Sequence, residues 1–367
     1  FPVSGSSEVQ EDKGMATMKA LRMYAPNDFR LEELSVPEIG PDDILIKVKG
    51  CGICAGDIKT YHGGQRVWGR TPADAYIEAP CIGGHEFHGV VVEKGVNVTD
   101  VEIGDRILAE QILPCGECRF CRQGNYWMCQ PHSIFGVKNE AQGGFAEYMK
   151  FPKNSVIHKI PEEMSDEQAV LVEPYACGMH AVERANIRHT DVVVISGLGA
   201  IGLSMVCAAK ALSPKLLIGL DLRENRLNKA KEFGADMILN PTKDNVVEKL
   251  KELTGGYGCD VYIEASGGAP SVMQGLQSVC NMGRYVQFGI FPKDVTADWN
   301  IIGDTKHMDI YGSHLSGHCY KAVIDGMVNG TFKTEGVLSH TFPLTDWERA
   351  FEVAEKDPDA FKVALLP

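Results

Sequence analysis

The hydrophobic pattern changes once along the chain. From about Lys19 to Pro152, short runs such as "ILIKVKG", "GVVVEKG" and "DRILAEQI" mix apolar/polar alternation with Val and Ile, and Gly and Pro separate them. That texture predicts an all-β, barrel-like domain. A capping box, Ser165 with Gln168, then opens a helix around "SDEQAVLVEP". From Thr190 the apolar runs become continuous: "DVVVIS", "LLIGLD", "DMILN", "CDVYIEAS" and "GRYVQFGI" alternate with helical stretches such as "RENRLNKAKEFG" and "NVVEKLKELTGG". Continuous apolar strands between helices predict a parallel sheet covered on both faces. The pattern runs to about "MDIYGS". Beyond this sixth strand, "LTDWERAFEVAEKD" carries a second capping box, Thr345 with Glu348, and an amphipathic face. This tail is expected to return to the first domain.

One run, Val192 to Ala209, is uncharged and long enough to resemble a membrane span. Three patterned glycines inside it, with Asp191 and Lys210 at its borders, favour a buried strand, a tight turn and a buried helix instead. The opening "FPVSGSSEVQEDKGM" lacks the apolar core of a signal peptide. It reads as an expression scar over residues 1–14, with the natural start at Met15 or Met18.

The 367 residues suit about two domains, and 44% hydrophobic with 23% charged residues is a globular composition. A net charge of −13 without a basic stripe argues against nucleic acid and against an anionic membrane surface. The twelve cysteines are clustered in a chain of cytoplasmic character, which favours metal over disulfides. The singletons Cys207 and Cys280 read as small buried hydrophobes.

"ISGLGAIG" places Gly197, Gly199 and Gly202 as G-x-G-x-x-G between an apolar strand and an apolar helix. The first glycine allows the tight turn and the second lets backbone approach a pyrophosphate. The third permits close helix–strand packing. Ala200 and Ile201 then open a helix whose N-terminus faces the phosphates. The next strand ends in Asp221, nineteen residues after Gly202, where a carboxylate accepts from a ribose hydroxyl and repels a 2′-phosphate. NAD is therefore expected over NADP, with Arg223 nearby as the counter-indication.

Two sets of metal-capable residues are present. Cys115, Cys118, Cys121 and Cys129 form C-x2-C-x2-C-x7-C, suited to a closed tetrahedral zinc site that does no chemistry. An iron–sulfur cluster is the rival, although the last spacing departs from the ferredoxin pattern and no Pro follows Cys129. The second set is scattered. Cys54, His85, Glu86 and Glu173 offer sulfur, nitrogen and carboxylate oxygen from distant segments, as a catalytic zinc with an open position requires. A histidine in a Gly-rich turn and two capping or solvated acids would give the same residues.

Together "GICAGD", "GGHEFHG", the four-cysteine lobe, "EPYACGMHA", "GLGAIG" and "DLRENRLNKAKEFGAD" resemble the zinc-containing medium-chain alcohol/polyol dehydrogenases, sorbitol-dehydrogenase-like branch, over nearly all of residues 18–367. The resemblance implies an α/β plus β fold: a GroES-like, barrel-type catalytic domain over 15–178, an inserted Rossmann doubly wound parallel sheet over 179–315, and a return to the catalytic domain over 316–367. It implies catalytic zinc at Cys54 and His85 with Glu86 and the "EP" glutamate Glu173, a structural zinc on the four cysteines, and dinucleotide contacts at Ile201, Asp221 and Arg226. Phe288, Gly289 and Ile290 match a strand end beside the nicotinamide. Cys51 and Cys177 lie near the ligand positions without being assigned to them. Where many members relay the alcohol proton through Ser or Thr, this chain has Gly56, and Lys59 replaces a frequent histidine. A water, a second substrate hydroxyl, Glu173 or Lys59 is left to carry the proton. Asp57 is expected to anchor its loop, and Tyr61 and Trp68 to wall the pocket.

The implied activity is hydride transfer from a secondary alcohol of a small polyol to NAD, with four-carbon polyols such as erythritol or threitol as the specific expectation. The implied assembly is a homodimer or homotetramer. A simple alcohol or threonine dehydrogenase of the same family is the first rival. A non-catalytic NAD(H)-sensing zinc protein is the second.

Overall fold

The structure, a computed structural model, describes residues 16–367. The expected scar and Met15 lie outside the described residues. Two large sheets and a two-stranded ribbon, Ile112–Leu113 with Ser133–Ile134, build the first lobe. Thr17–Ala25, Asp28–Ser35 and Cys81–Ile82 form a three-stranded antiparallel sheet. A seven-stranded sheet has Ile44–Ile53 at its centre, paired with Glu86–Lys94, Tyr148–Phe151 and Lys362–Leu366. Ile44, Ile46, Val48, Phe87, Val91 and Phe151 from these strands are buried in one core, as alternation on a half-covered sheet demands. The tail joins this lobe: Leu338–Pro343 pairs with Lys362–Leu366.

Two details differ from the sequence pattern. "DRILAEQI" is not one strand but two, Arg106–Ala109 and Ile112–Leu113, because Glu110 and Gln111 between them turn inward and are buried. The Thr345 capping box does not form. Leu344–Asp346 makes a 3-10 turn first, so the tail helix starts at Trp347 with Asp346 at the cap position and no side-chain cap bond.

The second lobe is a six-stranded parallel sheet in the order Met237–Leu239, Leu216–Leu220, Val192–Ser196, Cys259–Glu264, Val279–Gln287, Asp309–Gly312. This is the doubly wound 3-2-1-4-5-6 arrangement, and its crevice lies where Val192–Ser196 meets Cys259–Glu264. Val192–Ser196 is buried throughout and Ala200–Ala211 is a helix, so the run that mimicked a membrane span is strand, turn and helix. No helix among the described residues is long and apolar enough to cross a membrane.

A helix of 20 residues, Asp166–Ala185, joins the lobes. Its Ser165–Gln168 capping box is complete. It packs on Glu86–Lys94 of the first lobe and on Ala200–Ala211 of the second. Residues 178 and 179, expected to separate two domains, both lie inside this helix. All twelve cysteines are free. Cys207 is buried, whereas Cys280 is half-buried beside Asp260, unlike the buried hydrophobe expected there.

Candidate active site

The glycine turn sits at the crevice of the parallel sheet. Gly197 has φ +97, and a Cβ there would lie 2.6 Å from Ser266 backbone. At Gly202 a Cβ would lie 1.9 Å from the Gly197 carbonyl oxygen, so any side chain would push helix from strand. Gly199 is different: an added Cβ would meet only the Arg226 guanidinium, at 3.9 Å. The space over the second glycine is the space a pyrophosphate needs. Arg226 Nε is buried without a hydrogen-bond partner among the described residues. Asp221 accepts from the Leu198 N–H at 2.8 Å and from the Arg223 N–H at 3.0 Å. Its carboxylate thus lies at the turn itself, with Arg226 3.8 Å away. The Arg223 guanidinium points elsewhere, donating to the Pro358 carbonyl at 3.4 Å.

Ligand-capable atoms of Cys54, His85 and Glu86 lie within 4.8 Å of one another. Cys54 follows the strand Ile44–Ile53 and caps the helix Ala55–Tyr61. Its Sγ accepts from the Gly56 N–H at 3.3 Å, and its own N–H donates to Asp57 Oδ2 at 2.8 Å. Asp57 therefore anchors the loop, as expected of it. Its other oxygen is 3.7 Å from His85 Nδ1. Desolvation pulls the His85 ring down, but Asp57 first, then Cys54 and Glu173, outweigh it and hold the ring well above its ordinary pKa.

The two carboxylates of this set stand in different situations. Both Glu86 oxygens accept from Lys362 Nζ at 2.6 Å, in a pair that is almost wholly buried. Lys362 also donates to the Ile53 carbonyl at 3.2 Å. Burial acts to lower the Lys362 pKa, yet Glu86 beside it leaves the net shift upward. Gly52 faces this carboxylate so closely that a Cβ would fall 2.1 Å from Glu86 Oε2. Glu173 lies outside the 4.8 Å cluster. Its Oε1 accepts from Gln111 Nε2 at 2.6 Å and from the Cys177 thiol at 3.4 Å. Gln111 is itself held, its amide oxygen accepting from Tyr320 at 3.0 Å and Ser316 at 3.3 Å. No donor among the described residues reaches Glu173 Oε2. Burial pushes Glu173 up to about 7, against the pull of His85.

Lys59 is not aimed at the cluster. Its Nζ donates to the Ile290 carbonyl at 2.8 Å, tying the helix after Cys54 to the strand end Phe288–Ile290 of the other lobe. Tyr61 is no pocket wall: its ring packs edge-on against Phe29, Trp347 and Phe351 at 5.1, 6.1 and 6.0 Å. Trp68 also packs against that core, with its indole N–H on the Thr60 carbonyl at 2.7 Å. Gln111, Lys362 and Tyr320 are site residues that the motifs did not mark. The one local signal was the polar "EQ" at the end of an apolar run.

The four cysteines converge on one lobe, all ligand atoms within 4.8 Å. Cys115 and Cys118 Sγ lie 4.0 and 3.5 Å from Cys121 Sγ. Backbone N–H groups point at the sulfurs: Cys115 at Cys129 Sγ, Cys118 at Cys115 Sγ, Cys121 and Gln130 at Cys118 Sγ. Those from Cys121 and Gln130 draw Cys118 down to about 6. Desolvation and then the neighbouring thiol of Cys118 push Cys121 up to about 12. Thiols packed this tightly cannot all ionise without a cation among them, so the donor set fits a tetrahedral zinc.

Comparisons with known proteins identify the family of the chain. Residues 40–162 match the alcohol dehydrogenase GroES-like domain, and residues 200–329 match the zinc-binding dehydrogenase family. Erythritol/L-threitol dehydrogenase of Mycolicibacterium smegmatis is 42% identical over 353 residues, 95% of this chain and 98% of that protein. Sorbitol dehydrogenase of Halalkalibacterium halodurans is 32% identical over 356 residues, 95% and 99% of the two chains. The crystal structure of 2R,3R-butanediol dehydrogenase from Bacillus subtilis superposes with a TM-score of 0.83 at 32% identity, covering 95% of this chain and 99% of that one.

Proposed function

Because this chain belongs to the zinc-dependent medium-chain alcohol/polyol dehydrogenase family, we propose that it oxidises a secondary alcohol of a small polyol, a four-carbon polyol in the first instance, to the ketose with NAD⁺. The reading rests on the convergence of Cys54, His85 and Glu86 at the seam between the lobes, where Lys59 ties their loop to the Phe288–Ile290 strand end. The activity for which the 42%-identical relative is named supports the choice of substrate.

In this reading Cys54 and His85, with a carboxylate, hold a zinc ion that supplies a Lewis acid for acidifying the substrate hydroxyl. Bound NAD⁺ supplies the hydride acceptor. The remaining work belongs to the chain. Glu86, with both oxygens on Lys362, acts as a buried counter-ion that holds the wall of the site in place. Glu173, with one oxygen on Gln111 and the other without a donor, is the carboxylate able to reach toward the ion or take a proton at Oε2. Asp57 fixes Cys54 and sets the His85 ring. Gly197, Gly199, Ala200, Ile201 and Gly202 form the pyrophosphate turn, with Arg226 beside it, and Asp221 takes the adenosine ribose. Cys115, Cys118, Cys121 and Cys129 hold a second, structural zinc.

The deciding experiment is NADH formation on a panel of erythritol, threitol, larger polyols, simple alcohols and L-threonine, with NAD⁺ and NADP⁺. Four-carbon polyols are expected to give the highest kcat/KM. NAD⁺ is expected to exceed NADP⁺ on the order of a hundredfold, since a phosphate beside Asp221 is a like-charge contact costing several kcal/mol. Higher kcat/KM on L-threonine or a simple alcohol would move the protein to that branch. Equal cofactor use would mean that Arg223 leaves Pro358 to pair with the phosphate. Glu173→Gln should lower kcat by about 10–100-fold with little change in melting temperature. Wild-type kcat together with wild-type zinc content would reduce Glu173 to a structural acid.

A further inference from the structure

The helix that carries Glu173 carries a separate cluster of metal-capable side chains near its C-terminal end. His180 and Glu183 are three residues apart on Asp166–Ala185, and Cys319 occupies the N-cap of the helix Tyr320–Val328. Ligand-capable atoms of the three lie within 4.8 Å of one another. His180 Nδ1 is 3.7 Å from Glu183 Oε2, and Cys319 Sγ is 3.4 Å from the same oxygen. With bonds of about 2.0–2.3 Å at tetrahedral angles, two ligand atoms on one ion are separated by roughly 3.3–3.8 Å. Both measured separations fall in that range.

The surroundings point the same way. His180 and Cys319 are 7% and 1% exposed. His180 Nδ1 is buried and finds no hydrogen-bond partner among the described residues, an orphan that needs a physical account. Trp127 packs edge-on against the ring at 5.4 Å and restricts its plane. Position 317 is glycine at φ +53, and a Cβ there would lie 2.7 Å from Nδ1, so the face of the ring nitrogen is left clear. Glu183 is the solvent side of the cluster, with 54% of its side chain exposed. It also lines a groove of about 440 Å³ between the helices Asp166–Ala185, Ala200–Ala211 and Tyr320–Val328. An ion and a water for the fourth position can arrive that way.

We propose that His180, Glu183 and Cys319 form a third metal site, one that takes a thiophilic divalent cation, zinc above all. A thiolate and a carboxylate balance the 2+ charge, and neutral imidazole completes a sulfur–nitrogen–oxygen set of the kind zinc prefers. The thiol proton is released to solvent on binding, and no oxidant or reductant takes part. Without an ion, burial and then the Glu183 carboxylate keep that proton on Cys319, which donates to Glu183. The bound ion would pin the start of Tyr320–Val328, and with it the Tyr320 hydroxyl that holds Gln111, to the helix of Glu173.

The test uses the full-length protein dialysed without chelator, so that tightly held zinc stays as a baseline whatever its amount. Total zinc is measured by mass spectrometry, and further Zn²⁺ is then titrated calorimetrically. Summed over both measurements, wild type is expected to hold one more equivalent than Cys319→Ser or His180→Ala. Glu183→Gln should bind that equivalent roughly tenfold or more weakly. Glu183 is solvent-exposed, so this variant remains informative if either buried substitution fails to fold. Co²⁺ added as a probe should give a thiolate charge-transfer band that Cys319→Ser lacks. If wild type and all variants agree in total zinc, in further uptake and in the Co²⁺ spectrum, the cluster is only a thiol–carboxylate–imidazole contact. The comparison is between variants, so it stands whether or not the polyol reading holds.

Discussion

Cys54→Ala is expected to lower kcat/KM by at least about 10³-fold, because under the proposed function it removes a ligand from the ion that polarises the alcohol. Lewis-acid stabilisation is worth several kcal/mol, and each 1.36 kcal/mol is a factor of ten. The same sulfur caps a short helix, so a further loss of about 1 kcal/mol of stability is expected, no more than an N-cap usually contributes. NADH binding should be little changed, since the glycine turn and Asp221 stand on the parallel sheet and share no side chain with Cys54. Cys118→Ala is the paired control. Its sulfur receives backbone N–H groups from Cys121 and Gln130, so its loss should loosen the lobe, while protein that stays folded keeps turning over. Kinetics, zinc content, melting temperature and NADH fluorescence on both variants separate the two roles. A stable but inactive Cys118→Ala beside an active Cys54→Ala would mean that the chemistry is at the other cysteines.

Lys362→Ala should be the most destabilising single change in the first lobe. It leaves the Glu86 carboxylate, 1% exposed, without the ammonium that now bonds both of its oxygens at 2.6 Å. Breaking a buried pair from one side costs about 3–5 kcal/mol, because the remaining charge has neither water nor partner. The double change Glu86→Gln with Lys362→Met should recover much of that stability, since removing both charges also removes the desolvation they cost. Denaturant midpoints of the single and double variants, read on the near-ultraviolet signal, check this. A single variant within about 0.5 kcal/mol of wild type, the range of ordinary surface changes, would show that water reaches Glu86.

Much of the architecture was legible because its signals are local. The glycine turn, the continuous strands and the Ser165–Gln168 box each depend on residues a few positions apart, and each is present in the fold. The four cysteines lie within one short segment and close on one another. What was not legible depends on who meets whom. Gln111 sits in a run that reads as strand, and its role appears only when Glu173, 62 positions on, arrives beside it. Tyr61 ends the helix that Cys54 caps and reads as a cleft wall until Trp347 and Phe351 from the tail pack over it. Thr345 has the spacing of a capping box, but a 3-10 turn shifts the helix start by one position. Lys362 carries no motif at all.

The Glu86–Lys362 pair spans 276 positions of chain, and everything between them must be made first. At 5–20 residues per second that interval lasts roughly 15–55 s. The nascent first lobe leaves the ribosome with a carboxylate it cannot bury and with a central strand, Ile44–Ile53, that lacks its neighbour Lys362–Leu366. The parallel-sheet lobe, whose strands lie within 192–312, has all its pieces in hand earlier. Synthesis is therefore expected to let the parallel-sheet lobe mature before the first lobe receives its last strand. An arrested ribosome–nascent chain ending before the last strand should bind NADH yet remain protease-sensitive between residues 16 and 160.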